Sequence, residues 1–116
     1  MELTRLMLRL YFGDAMLGPG KARLLEAIAS EGSISAAGRA MGMSYKRAWS
    51  LVDEMNSAFR APLVDSVRGG PQGGGAALTE TGEAVLSTYR ALEAKVAQTG
   101  APEIAALAAL VAPPKA

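Results

Sequence analysis

The sequence predicts a mainly α-helical domain that carries one small β-hairpin. The first supporting observation is the run from Gly32 to Asn56, in which two stretches with apolar residues at helical spacing meet at a glycine. The second is the glycine-rich segment from Arg68 to Ala77, which connects two short stretches with strand character. Two short helices followed by a hairpin are the order of elements in a winged helix-turn-helix. The helical run alone would also suit two core helices of another small α-rich domain.

The two helices of this run have separate start and stop signals. Apolar residues recur at helical spacing in the first helix as far as Gly42, which can adopt the positive φ that ends a helix. Ser44 is a good N-cap for the second helix, and Gly38 lies where the first helix must pass close to the second. We predict a buried face with Ala48, Leu51, Val52 and Met55, and an exposed face with Tyr45, Lys46, Trp49 and Asp53.

The N-terminal part is predicted to form a strand and then a helix. Apolar and polar residues alternate from Leu6 to Phe12, which predicts a strand buried on one side that ends at the Gly13–Asp14 pair. Pro19 opens the following helix, because its missing N–H costs little at the first helical position. Gly32 ends that helix. Its buried stripe is predicted to contain Leu24, Leu25, Ile28 and Ala29.

The C-terminal part is predicted to form the hairpin and a long helix. Apolar residues around Val64 and Val67 predict the first hairpin strand, and residues 76–78 predict the return strand. Thr79 is the predicted N-cap of a helix that ends near Gly100. We assign residues 1–99 to one domain, which includes this linker helix, and residues 100–116 to a short tail that can form one further helix. The linker helix carries a narrow apolar seam, Val85, Tyr89, Leu92 and Val96.

The composition disfavours several kinds of site. The 116 residues include no cysteine and no histidine, so disulfides, thiolate sites and the usual general base near neutral pH are missing. We expect no catalytic residues, no metal and no cofactor. The N-terminus alternates charged and apolar residues, unlike a signal peptide, and the longest apolar stretch near the C-terminus is far below the roughly 20 residues of a membrane span. We expect a cytoplasmic protein without membrane contact.

Three stretches resemble the N-terminal DNA-binding domain of ModE-type molybdate-responsive transcriptional regulators. They are GSISAAGRAMGMSYKRAW at 32–49, DEMN at 53–56 and PLVDSVRGGPQGGGAALTETGEAVL at 62–86. The resemblance covers most of residues 3–97, and the LTETGE string is also similar to the winged helix of LysR-type regulators. It implies a winged helix-turn-helix that pairs as a homodimer on a two-fold operator in double-stranded DNA.

The resemblance also implies which residues contact DNA. The helix beginning at Ser44 enters the major groove, and the glycine-rich wing approaches the flanking backbone or minor groove. Relatives often carry an arginine and a lysine in the wing where this chain has Ser66 and Pro71. Full-length relatives append molybdate-binding domains, so we expect any oxyanion response here to need a separate sensing subunit. The matching positions are Ser44, Tyr45, Lys46 and Trp49 on the helix and Gly69, Gly70, Gly73, Gly74 and Gly75 in the wing.

Side-chain chemistry adds further predicted contacts and their alternatives. Lys46 and Arg47 can donate to guanine or phosphate, and Ser50 can donate or accept. Arg68 is the wing side chain predicted to reach the minor groove. Lys46 is alternatively a solvated surface charge, and Trp49 alternatively completes the core. The glycines are alternatively an inert loop; they do not form a P-loop, since no lysine and hydroxyl follow them.

The apolar seam of the linker helix is predicted to be the dimer interface. A domain of this size has few other elements to cover both the seam and residues 3–12, and a two-fold dimer would place two recognition helices about 34 Å apart. The main alternative is a protein-interaction module that docks on a separate regulatory subunit. The net charge of +1 and the reduced wing favour this alternative. An enzyme is a third interpretation, which no visible pair of nucleophile and base supports.

Overall fold

The computed structural model describes residues 1–67 and 74–114, which form five helices and two antiparallel β-hairpins. This arrangement confirms the predicted fold class. Within the described ranges, none of the helices combines the length and apolar character needed to cross a bilayer. The elements in chain order are β1 Leu10–Phe12, β2 Ala15–Leu17, α1 Pro19–Glu31, α2 Ile34–Ala40, α3 Tyr45–Ala58, β3 Val64–Val67, β4 Gly75–Leu78, α4 Glu80–Thr99 and α5 Ala101–Leu110.

The main core lies where α1, α2, α3 and the β3–β4 hairpin meet. Leu24, Leu25 and Ile28 of α1 are fully buried there, as the helical spacing predicts. Ala29 is exposed, so its predicted place in the stripe is wrong. It lies about 100° further round the helix than Ile28, which turns it out of the core. The other buried members of this cluster are Ile34, Ala37, Ala48, Leu51, Val52, Met55, Leu63, Val64 and Ala76.

The N-terminal strand is much shorter than the alternating pattern predicts. Pairing begins only at Leu10, and the chain turns back at Gly13–Asp14 so that β1 pairs with β2. Leu6 is 39% exposed and Phe12 is 65% exposed, so the prediction of one buried side is wrong within this chain. The pattern correctly indicates an extended backbone. A buried face requires a covering layer, and the β1–β2 pair contributes only three residues per strand.

The β3–β4 hairpin, which we call the wing, is attached to the helices near its base. Val64 pairs with Leu78, and Val67 pairs with Gly75. The amide of Ala76 donates to the carbonyl oxygen of Gly32 at 2.8 Å, which joins β4 to the end of α1. The wing therefore continues directly from the helical core.

The linker helix α4 is fixed against the base of the wing. The Thr79 hydroxyl accepts from the amide of Gly82 at 2.9 Å, which confirms its predicted role as N-cap, and donates to the Pro62 carbonyl at 2.7 Å. Gly82 lies against the Leu63 carbonyl so closely that a Cβ at this position would be 2.1 Å from the oxygen. Only glycine permits this approach of helix and strand.

Further along α4, a charged contact joins this helix to α1. The Arg90 guanidinium donates to both carboxylate oxygens of Glu26, at 2.5 and 3.1 Å, and to Glu93 at 2.6 Å. These bonds to Glu26 and then to Glu93 raise the pKa of Arg90, so the cation is retained throughout the accessible pH range. The final helix, α5, has no buried residue, and its Leu107 and Leu110 are 65% and 83% exposed.

Candidate nucleic-acid interface

Each helix of the α2–α3 unit begins at a serine cap, and a backbone hydrogen bond from the Met43 amide to the Gly38 carbonyl at 2.9 Å closes the turn between them. The Ser33 hydroxyl caps α2 by accepting from the Ala36 amide at 3.0 Å. The Ser44 hydroxyl caps α3 by accepting from the Arg47 amide at 3.1 Å, which confirms the predicted start of that helix. Gly42 has a φ of 70°, as its predicted role in ending α2 requires. The sequence therefore specifies the start of α3 to the residue.

The two helices pack closely because their contact residues are small. A Cβ on Gly38 would lie 3.0 Å from the Cβ of Ala48, tighter than an ordinary carbon contact. The predicted inner face of α3 is confirmed: Ala48, Val52 and Met55 are each at most 3% exposed. This packing leaves the opposite face of α3 directed away from the core.

The first two turns of α3 expose the predicted aromatic and polar side chains. Tyr45 is 57% exposed and Trp49 is 42% exposed, with their ring centroids 6.0 Å apart and their planes tilted by 39°. Trp49 is therefore partly open to solvent, and the interpretation that it completes the core is not supported. Lys46, Arg47 and Ser50 are also exposed beside this pair.

Charge is distributed unevenly along the exposed side of α3. The cations Lys46 and Arg47 lie in its first turn, whereas the exposed carboxylates Asp53 and Glu54 lie in its second half. Glu54 is 3.7 Å from the Lys21 ammonium of α1. Phosphate groups would be attracted to the first half of α3 and repelled by the second.

A side chain that the sequence analysis did not single out connects α3 with the wing. The Asn56 carbonyl oxygen accepts from the amides of Leu63 and Val64 at 2.8 and 3.1 Å, and its amide donates to the Val64 carbonyl at 3.1 Å. These three bonds fix the start of β3 relative to the last turn of α3. The available signal was a polar residue four positions after Val52, on the otherwise apolar face of the helix.

A cleft of about 280 Å³ separates the exposed part of α3 from the wing. We call it the α3–wing cleft. Its polar lining includes two serines that the sequence analysis did not predict as site residues, the half-buried Ser35 and the exposed Ser66. The described lining residues are Ile34, Ser35, Tyr45, Trp49, Ser66, Gly74, Gly75 and Ala76.

Comparison with known proteins identifies the family. Residues 20–83, more than half of the chain, match the family model described as "Bacterial regulatory helix-turn-helix protein, lysR family". The chain belongs to this family. The matched range runs from α1 into α4, so it includes both helices of the turn and the wing.

Curated relatives place the helix-turn-helix in the ModE type. The chain is 49% identical over 84 residues to the molybdenum-pterin-binding protein MopB of Rhodobacter capsulatus, which is 72% of this chain and 31% of MopB. It is 47% identical over 91 residues to the molybdenum transport protein ModE of Azotobacter vinelandii, 78% of this chain and 33% of that protein. The DNA-binding transcriptional dual regulator ModE of Escherichia coli is 42% identical over 71 residues, 61% and 27% of the two chains. The chain spans about a third of the length of these curated relatives.

In this ModE-type domain, the predicted DNA-contacting residues of α3 are brought onto one open surface. Gly74 and Gly75 of the wing line the cleft beside that surface. Arg68, Gly69, Gly70 and Gly73 lie outside the described residues, so their predicted contacts stay predictions. The roles assigned to Ser44, Tyr45, Lys46, Arg47, Trp49 and Ser50 in DNA binding also stay predictions.

The apolar seam of α4, which is predicted to be the dimer interface of this ModE-type domain, contains both buried and exposed side chains. Tyr89 is only 2% exposed and donates to the Leu8 carbonyl at 2.6 Å, so it is covered by its own chain. Burial raises the pKa of its phenol, with a smaller contribution from nearby Glu93. Leu92 is 36% exposed, whereas Val85 and Val96 are half-buried. Leu92 is thus the seam residue most available to another molecule.

Proposed function

We propose that this chain is a DNA-binding transcriptional regulator that places the first two turns of α3 in the major groove of duplex DNA. The observation that carries the proposal is the single open surface formed by Tyr45, Lys46, Arg47 and Trp49 at the start of a helix whose other face is buried. Recognition helices of helix-turn-helix proteins contact base edges with their N-terminal residues. The carboxylates Asp53 and Glu54 in the second half of α3 would repel phosphate, which also favours DNA contact by the first half.

The proposed contacts differ in chemistry along this surface. Lys46 donates to guanine O6 or N7, whereas Arg47, one position round the helix, donates to a phosphate. The exposed edge of Trp49 contacts a thymine methyl or a sugar, and Ser50 donates to or accepts from a base edge. Cationic contacts release counterions, so affinity is expected to fall steeply as salt concentration rises.

The test is fluorescence anisotropy with duplexes selected from random DNA by the purified protein. Lys46→Ala should weaken binding by about 1–3 kcal/mol if the lysine contacts a base, or reduce the salt slope by about one unit if it contacts phosphate. Lys95→Ala is the matched control, because Lys95 is an exposed lysine on α4. Equal affinities and salt slopes for the parent and Lys46→Ala would remove Lys46 from the interface, and absence of any salt-dependent duplex binding would reject the function.

The regulator is proposed to act as a homodimer on a palindromic operator. Leu92 of α4 and the leucines of α5 are large apolar side chains that are open to solvent in this chain. Contiguous exposed apolar patches are typical of protein–protein contacts, and we propose that these side chains contribute to such a patch. A two-fold dimer would set the recognition helices about 34 Å apart, one turn of the double helix. A monomeric mass at micromolar concentration, with one chain per duplex, would contradict this part of the proposal.

The names of the relatives support a role in molybdenum-dependent regulation. We propose that this chain responds to a molybdenum-related signal by binding other proteins. A separate oxyanion-sensing subunit is one candidate partner. The same exposed leucines favour the alternative function, a module that binds that subunit instead of DNA. Salt-dependent duplex binding in the absence of any partner would decide against the alternative.

A further inference from the structure

Residues 1–9, which we call the N-terminal arm, lie beside the joint between α4 and α5. We propose that this arm is a strap that holds α5 in its observed direction relative to α4, and that release of the arm lets α5 swing about Gly100. The end of the molecule then changes direction while the helix-turn-helix and the wing keep their positions. The proposal is independent of DNA binding, because it concerns elements outside the α2–α3 unit and the wing.

The joint between α4 and α5 is the point at which this part of the molecule bends most easily. Gly100 separates the two helices with φ −85° and ψ 2°, and Pro102 in the first turn of α5 has no N–H to donate back to α4. Backbone bonds still bridge the joint. The Gly100 amide donates to the Val96 carbonyl at 2.8 Å, and the Ile104 amide donates to the Gly100 carbonyl at 2.9 Å. Sharp bends of helices occur at proline and glycine, so a change of direction costs least here.

Packing against the core does not fix the direction of α5. The helix has no buried residue, and its half-buried residues are Ile104 and Ala108, one turn apart on one face. A groove of about 530 Å³ has Met1 and Leu3 on one side and Ala97, Ile104 and Ala108 on the other. The start of the arm therefore faces the last turn of α4 and the half-buried face of α5 together.

The other end of the arm is fixed to the core. The Tyr89 phenol donates to the Leu8 carbonyl at 2.6 Å, and Leu10, where β1 begins, packs against the cluster that contains Tyr89. The side chain of Arg9 lies over Gly18, where a Cβ would be 3.1 Å from the Arg9 Cγ. The arm is thus anchored at residues 8–10 and extends from there to the joint. This is the arrangement of a strap between the core and α5.

The contact between the arm and α5 is suited to release. Met1 is 57% exposed and Leu3 is 51% exposed, although both line the groove. Residues 1–7 form no backbone hydrogen bond with another backbone group of the described chain. Apolar side chains that are only half covered contribute a fraction of the free energy of full burial. A single polar substitution in the groove should therefore release the strap.

The direction of α5 can be measured as a distance between two spin labels. The chain has no cysteine, so Ser87→Cys on α4 and Ala106→Cys on α5 supply the only labelling sites. Both positions are exposed. Along a continuous helix they would lie about 28 Å apart, and a right-angle bend at Gly100 would shorten that distance by about 7 Å. Dilution of the labelled protein with unlabelled protein restricts the measured distances to one chain.

The first variant places a charge in the groove. We expect a narrow distance distribution in the labelled parent, and Leu3→Glu should broaden it towards shorter distances, because a carboxylate is expelled from an apolar contact. Thr4→Glu is the matched control. It adds the same charge at the adjacent exposed position, outside the described lining, and should leave the distribution unchanged. A broad distribution in the parent, or equal distributions for the parent and Leu3→Glu, would overturn the proposal.

A second variant tests the joint itself. Pro102→Ala restores a backbone donor at the start of α5 and favours a helix that continues from α4. Combined with Leu3→Glu, it should return the distance distribution towards that of the parent. If Leu3→Glu broadens the distribution and Pro102→Ala does not narrow it again, the motion does not arise at the joint and the proposal fails. The helical circular dichroism of each variant should equal that of the parent, since a loss of helix would show that α5 unfolds instead of swinging, which would also overturn the proposal.

Discussion

The segment from Pro19 to Gly82 and the two ends of the chain differ in how their apolar residues are covered. In the central segment, apolar side chains such as Met55 and Leu63 are at most 1% exposed, and hydrogen bonds fix the surrounding backbone. At the ends, Leu3 is 51% exposed and Leu110 is 83% exposed. Both regions have regular apolar patterns in the sequence. A regular apolar pattern therefore predicts which face of a helix or strand is apolar. It does not identify the element that packs on that face.

This difference also separates the proposed tasks of the two regions. The central segment presents a fixed surface, because both α3 and the wing are joined to one core. The ends present apolar side chains without a cover inside the described chain, which suits association with a second copy.

The first prediction concerns the closest contact in the central segment. Gly82→Ala should destabilise the fold by on the order of 3 kcal/mol or more, because its Cβ would lie 2.1 Å from the Leu63 carbonyl oxygen and the strand or α4 must move. The measurement is urea unfolding followed by circular dichroism. Gly20→Ala is the matched control: Gly20 also lies in the first turn of a helix, and its Cβ would meet no atom within 4 Å. That variant should be neutral or more stable by up to about 1 kcal/mol. Similar losses for both variants would show that the Leu63 contact is not responsible.

The second prediction removes the link between α3 and the wing. Asn56→Ala should cost about 2–3 kcal/mol of unfolding free energy, since the amides of Leu63 and Val64 lose their acceptor. Duplex affinity should fall further than stability alone explains, because the wing loses its fixed angle to α3. Ser57→Ala, on the adjacent exposed position, should stay within about 0.5 kcal/mol of the parent. A variant with parental stability and affinity would contradict the role given to Asn56.

The third prediction concerns the contact between the central fold and the N-terminal end. Tyr89→Phe should cost about 1 kcal/mol, because the phenol no longer donates to the Leu8 carbonyl. The raised pKa of this phenol stabilises the fold fully below the ordinary value of 10.0, and that contribution is lost as pH rises through the folded-state pKa. The difference in unfolding free energy between parent and variant should therefore shrink above pH 10. A difference in unfolding free energy that stays constant with pH would contradict the raised pKa of Tyr89. Hydrogen exchange at residues 1–9 should also be faster in the variant, because the bond to Leu8 is lost.

The fourth prediction tests the uncovered end. Leu110→Glu should leave the unfolding free energy of the dilute chain within about 0.5 kcal/mol of the parent, because the side chain is 83% exposed. If α5 contacts a second copy, the same change should raise the dimer dissociation constant about tenfold, as expected when each of the two copies loses one partly buried leucine side chain. Gln98→Glu adds the same charge at an exposed site on α4 and serves as the control in sedimentation equilibrium. An unchanged dimer constant would place the interface elsewhere.

Local signals allowed much of the fold to be predicted from the sequence. Ser44, Thr79 and Gly42 act on neighbouring backbone atoms, so their roles as caps and helix end followed from their residue types and spacing. The periodic apolar positions of α3 likewise predicted its buried and exposed faces. The predicted site surface on α3 depended on the same periodicity, which is why its members lie together.

The parts that sequence reasoning missed depend on contacts between distant residues. Asn56 bonds to backbone atoms seven and eight residues away. Gly82, in the first turn of α4, packs against the carbonyl group of Leu63. Neither partner can be deduced from a helical or alternating pattern. The exposed Phe12 shows the complementary error, because the alternation around it indicates an extended chain without specifying a covering layer. Ser35 and Ser66 come together only when α2 and the wing are folded.

The position of Asn56 has a consequence for retargeting. The wing is aligned by a side chain in the last turn of α3, whereas the proposed sequence-specific contacts occupy residues 44–50 at the opposite end. The alignment of the wing and the proposed specificity thus depend on separate stretches of one helix. If the proposed contacts are correct, exchanging residues 45, 46, 49 and 50 for those of another helix-turn-helix protein should change the base preference, while Asn56 keeps the wing aligned with α3.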